Sequence, residues 1–195
     1  MDVTTLHART VAEFTARVEA VDDAQWEDPT PCTEWSVRAL VNHVVGEDRW
    51  TPPLVAGRTI AEVGDSLDGD LLGDDPIAAA RAAGDAAGAS VASGVAAGAT
   101  VHLSYGDEDV VEYAMQLAAD HLVHAWDLAA ATGGATELDG ELVTAVAAWF
   151  ADREELYRGA GIIAPRVEGA PGDPLSALLA ATGRDPAWRP PPPSR

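Results

Sequence analysis

The segment Asp120-His121-Leu122-Val123-His124-Ala125-Trp126-Asp127-Leu128 carries the residues best suited to chemistry. On a helix, residues four apart share a face, with Cβ atoms about 5–6 Å from each other. Asp120 and His124 therefore project together and offer one carboxylate oxygen and one imidazole nitrogen to a single ion. His121, three residues before His124, is the alternative to Asp120 as a donor. Leu117, Asp120, His124, Leu128 and Ala131 form one mostly apolar stripe, which aims the donors toward a protein interior. A third donor must come from another helix. His43, set among Leu40, Val44 and Val45, is the candidate. Two histidines and a carboxylate with positions left open suit Zn²⁺, Fe²⁺ or Ni²⁺, in the manner of a catalytic rather than a closed structural site. Taken singly, each of these side chains has a plainer reading: a hydrogen-bonded core histidine, or an intrahelical His–Asp contact.

Other candidates are weaker. Glu47, one turn after His43, is placed to act as a general base or to support a ligand. Cys32 sits in a proline-rich loop with no adjacent base and reads as a small buried hydrophobe. His7 and His102 have no partner at ligand spacing and are expected on the surface or in loops. No phosphate-binding loop, dinucleotide fingerprint, nucleophile elbow or H-E-x-x-H motif occurs.

The elements that must hold these residues are helices. Leu6, Thr10, Phe14, Val18 and Val21 predict a first helix from Val3 to Val21. Pro29 and Pro31 keep the following loop out of helix. Ser36 is a suitable N-cap for a second helix from Val37 to Trp50, stopped by Pro52-Pro53. Residues 54–75 read as a long connection with one helical turn near Ile60. Pro76 opens a third helix to Ala97, in which Gly84 and Gly88 permit close packing. Val101 to Tyr105 alternates as a short extended segment, and Gly106 to Asp109 leads into a fourth helix, Val110 to Thr132. A fifth is expected from Leu138 to Tyr157 and a short one from Leu175 to Thr182, with an extended proline-rich tail from Pro190. The result is an all-α helical bundle over residues 1–160, with a C-terminal extension over 161–195.

Composition narrows the class. The chain has 195 residues, enough for one core, and 47% of them are hydrophobic. Its 32 acidic residues face 12 basic ones, giving a net charge of −20. Every basic residue is arginine, scattered singly, which argues against nucleic acid and anionic membrane surfaces as partners. One cysteine excludes an internal disulfide framework, and the N-terminus lacks a signal-peptide pattern, so a cytoplasmic location is expected.

The stretch Pro29-Thr30-Pro31-Cys32-Thr33-Glu34-Trp35-Ser36-Val37-Arg38-Ala39-Leu40-Val41-Asn42-His43-Val44-Val45-Gly46 resembles a signature of the actinobacterial metal-binding proteins of the DinB-like superfamily. That group includes the metal-binding domain of mycothiol-dependent maleylpyruvate isomerase. The segment Asp120 to Ala129 resembles its second signature, and Gly183-Arg184-Asp185-Pro186-Ala187-Trp188 its closing motif in short members. The resemblance implies a DinB-like four-helix bundle, up-down-down-up, with a long crossover between its second and third helices. It also implies a zinc or other divalent ion held by His43, Asp120 and His124. Aspartate stands at position 120 where glutamate or histidine is more familiar. Only about 35 residues follow the last bundle helix, against a sizeable C-terminal domain in the isomerase.

The function expected from the residues and the resemblance together is a metal-dependent transferase or isomerase that uses a low-molecular-weight thiol of the mycothiol type. It would act on a small molecule as a monomer or homodimer. The alternatives are a non-catalytic metal-binding or interaction module, and a metal-dependent hydrolase in which the same three ligands activate water.

Overall fold

Aspartate and serine side chains set the start of each long helix, and part of the acidity of the chain is spent there. The computed structural model describes residues 1–167 and 173–191. Asp2 accepts from the Thr5 amide to start α1 (Val3–Glu19), and Ser36 from Ala39 to start α2 (Val37–Val55). Asp75 caps α4 (Pro76–Ala97), with Pro76 in the first turn where its missing N–H costs nothing. Asp109 caps α5 (Val110–Thr132), and Gly133 ends it in the left-handed conformation at φ 73°. Between α2 and α4 runs the long connection, holding the single turn α3 (Ile60–Val63) behind a capping box of Thr59 and Glu62.

The four long helices pack as a bundle, α1 against α5 and α4, and α2 against α4 and α5. Phe14 and Val18 of α1, Leu40, Val41 and Val44 of α2, and Ala125 and Leu128 of α5 share one cluster. Gly84 lets α4 close on α1: a Cβ there would stand 2.7 Å from Val11 Cγ1. Gly88 has open space beside it, so only one of the two glycines serves that contact. Three short elements complete α5's surroundings: α6 (Gly140–Ala151), α7 (Glu154–Gly159) and α8 (Pro174–Ala181). Leu142 and Val146 of α6 and Leu178 of α8 pack with Leu6, Ala118 and Leu122. From His121 to Ala131 every residue of α5 is buried, so this helix is the central rod of the protein.

Several sequence expectations need correction. α2 does not stop at the prolines but runs through Pro52 and Pro53 to Val55. Each lacks the N–H that would reach the carbonyl four residues earlier, but the loss falls in the last turn only, and continuation buries Leu54. Residues 106–109 form a strand: β1 (Thr100–Leu103) pairs antiparallel with β2 (Gly106–Asp109), Thr100 opposite Asp109 and Leu103 opposite Gly106. The helix expected over 138–157 is broken at Asp152-Arg153, where Arg153 turns to pair with Glu112 of α5 and lies over the Trp149 ring. His7 is not at the surface but buried at 1% exposure. The expected tail beyond 191 lies outside the described residues. Among those residues no helix is long and apolar enough to cross a membrane.

Candidate metal centre

α2 and α5 bring His43, Asp120 and His124 together as spacing along the chain suggests. Asp120 Oδ1 lies 3.3 Å from His124 Nε2, and Asp120 Oδ2 lies 3.4 Å from His43 Nε2. These separations are long for charge-assisted hydrogen bonds, which run about 2.7–2.9 Å. Each of the three residues offers one donor atom within 4.8 Å of the others, close enough to share one ion. Asp120 Oδ2 is moreover buried with no hydrogen-bond partner. The donor set and its spacing therefore fit a divalent ion.

The His124 ring is aimed from behind. Its Nδ1 donates to Asp127 Oδ2 at 2.9 Å, which turns Nε2 toward Asp120. Asp127 is fully buried, and Arg184 reaches its Oδ2 at 3.0 Å from beyond α8. A carboxylate behind a ligating histidine fixes the ring and raises its basicity. Neither Asp127 nor Arg184 has a role in the sequence reading, although the i, i+3 spacing of His124 and Asp127 was a usable signal. Arg184 is different: it is 57 residues from Asp127 and only the fold joins them.

Trp35 covers the histidines, its ring centroid 4.6 Å from that of His43 and 5.8 Å from that of His124. The loop that carries it is held by Thr30 Oγ1, which donates within the loop to the carbonyls of Cys32 and Trp35. The triad opens on a cavity of about 420 Å³. Its walls include Glu47, Cys32 and Arg184, with Tyr105, Tyr157 and Ile163 on the apolar side. Burial, and then Asp120, push the Glu47 carboxyl upward, so it holds a proton more readily than an ordinary glutamate. Burial likewise raises the Cys32 thiol, which keeps it protonated and a poor nucleophile. His121 does not join the triad: its Nε2 faces Asp48 Oδ1 at 3.1 Å. His102 is paired with Asp107 at 2.6 Å on the hairpin.

Burial alone would lower His124, but Asp120 and Asp127 outweigh it and hold the imidazolium up to about 9. In the metal-free protein a proton thus occupies Nε2 below that pH. Its contribution to stability is full below the ordinary histidine value of about 6.5 and fades as pH rises through about 9. Metal must displace the proton, so apparent affinity should rise about tenfold per pH unit up to about 9 and then level. Calorimetric titration in buffers of differing ionisation enthalpy should find about one proton released per ion at pH 7.5. An affinity unchanged between pH 6 and 8 would contradict this assignment of the proton.

Residues 7–129 match the family described as the mycothiol maleylpyruvate isomerase N-terminal domain. Two uncharacterized proteins from two strains of Mycobacterium tuberculosis are each 35% identical over 191 residues, covering 94% of this chain and 100% of theirs. No solved structure matches the chain.

Proposed function

Because the chain belongs to the family of mycothiol maleylpyruvate isomerase N-terminal domains, we propose that it binds a divalent metal at His43, Asp120 and His124 and uses a low-molecular-weight thiol in transfer or isomerisation. The observation that carries the reading is the convergence of the three donors at the floor of the cavity, with His124 braced by Asp127. Zinc is the first choice for this donor set, with Fe²⁺ and Ni²⁺ next. A divalent ion there supplies a positive charge that lowers the pKa of a coordinated thiol toward neutrality.

The chain's own residues supply the rest. The thiol, having lost its proton to solvent, would form a C–S bond to an unsaturated electrophilic carbon of a small molecule whose body rests on Tyr105, Tyr157 and Ile163, the π pair of that carbon moving onto its conjugated neighbour. Glu47 would give its proton to the atom that receives that pair and take it back as the C–S bond breaks and the pair returns. Trp35 packs beside the rings of His43 and His124 and walls one side of the triad. His121 is turned to Asp48, and no fourth His, Cys, Asp or Glu joins the triad among the described residues. This supports an open position over a closed, non-catalytic centre. The same opening would serve a hydrolase, and the nucleophile separates the two.

The test is cobalt substitution in a Cys32→Ser background, which removes the only sulfur donor of the cavity wall. Adding mycothiol should produce a sulfur-to-cobalt charge-transfer band in the near ultraviolet, absent after His43→Ala. A Co²⁺-loaded protein whose spectrum ignores saturating thiol would overturn the thiol reading and leave water activation.

A further inference from the structure

A second set of donors lies in the core, away from the cavity wall. His7 of α1, Asp48 of α2 and His121 of α5 are exposed by only 1%, 2% and 1%, and one donor atom of each falls within 4.8 Å of the others. His121 Nδ1 lies 2.7 Å from the Leu117 carbonyl oxygen. A carbonyl can only accept, so Nδ1 carries a proton, and Nε2 faces the Asp48 carboxylate 3.1 Å away. A buried carboxylate at that distance calls for a positive charge between the two, a second proton or a metal cation. His7 supplies an independent sign: neither of its ring nitrogens has a hydrogen-bond partner. Its ring meets that of His121 edge to face at a centroid distance of 5.5 Å.

We propose that His7, Asp48 and His121 form a second, buried divalent-cation site that ties α1, α2 and α5 together. Two imidazoles and a carboxylate are a donor set for Zn²⁺, Fe²⁺ or Ni²⁺. A dication satisfies three demands at once. It offsets the Asp48 charge, occupies the His121 lone pair and gives one His7 nitrogen a partner. The site is distinct from the triad. His121 adjoins Asp120 in sequence but points about 100° round the helix, toward α1 and α2 rather than the cavity.

The test is the metal content, by mass spectrometry, of the full chain produced in zinc-supplemented medium, beside His43→Ala and His7→Phe. The wild type should hold two zinc equivalents and each variant one. His43 lies at the cavity wall, so His43→Ala leaves the buried cluster undisturbed and reads it alone. His7→Phe removes a buried polar ring without opening a void. It should melt lower than wild type in zinc, and not lower in chelator. A single equivalent that His43→Ala loses and His7→Phe keeps would overturn the proposal and leave the triad standing. A single equivalent that survives His43→Ala and is lost in His7→Phe supports the buried site and removes the metal from the triad. A His7→Phe chain that melts higher in zinc and chelator alike would also overturn it, leaving a proton as the charge shared by His121 and Asp48.

Discussion

Replacing Asp127 by alanine should destabilise the fold by about 3–5 kcal/mol, as expected when one partner of a buried ion pair is removed. The carboxylate is fully buried and is the acceptor for both Arg184, at 3.0 Å, and His124 Nδ1, at 2.9 Å. Without it a guanidinium and an imidazole N–H are left in the core, each tied to a different part of the chain. For a protein of this length each kcal/mol moves the melting temperature by about 2–4 °C, so a fall of roughly 6–20 °C is expected in thermal denaturation. The same change frees the ring that must present Nε2, and metal affinity should fall about 10–100-fold. Asp127→Asn separates the two effects. It keeps an oxygen for the ring while withdrawing the charge from Arg184, so metal affinity should suffer less than with alanine. A melting temperature within about 2 °C of wild type for Asp127→Ala would show that Arg184 and His124 do not depend on it.

His124→Ala should abolish binding at the triad outright, a larger loss than removal of an outer partner, because it deletes a donor. Glu47→Gln provides the contrast. It should retain metal, because Glu47 is not in the triad, yet slow any reaction that needs a proton at the cavity wall. Equilibrium titration with a chromophoric chelator as competitor measures both. His124→Ala and His43→Ala chains that both keep the full wild-type number of metal equivalents at wild-type affinity would remove the triad as the centre.

What the sequence made legible was governed by short-range spacing. Asp120 and His124 lie one helical turn apart, and α5 runs over the residues its caps and periodicity indicate, Val110 to Thr132. His43 was identifiable because it is polar on an apolar helix. Contacts made by tertiary folding left no such trace. Asp48 and His121 are 73 residues apart, and His7 meets them from a third helix, so its surroundings could not be read from its neighbours. Arg184 reaches Asp127 only because α8 folds back onto the bundle. The proline stop at 52–53 failed for a related reason: burial of Leu54 outweighed a local propensity at the end of the helix.

The most direct test of the metal centre is an anomalous-difference map from crystals of the full, zinc-loaded chain, measured above the zinc absorption edge. The expected result is a peak bounded by His43 Nε2, the Asp120 carboxylate and His124 Nε2, with each donor about 2.0–2.2 Å from it. A map with no peak among these three side chains, from protein reloaded with zinc at pH 8, would contradict the centre and leave the histidines as packing residues of the bundle.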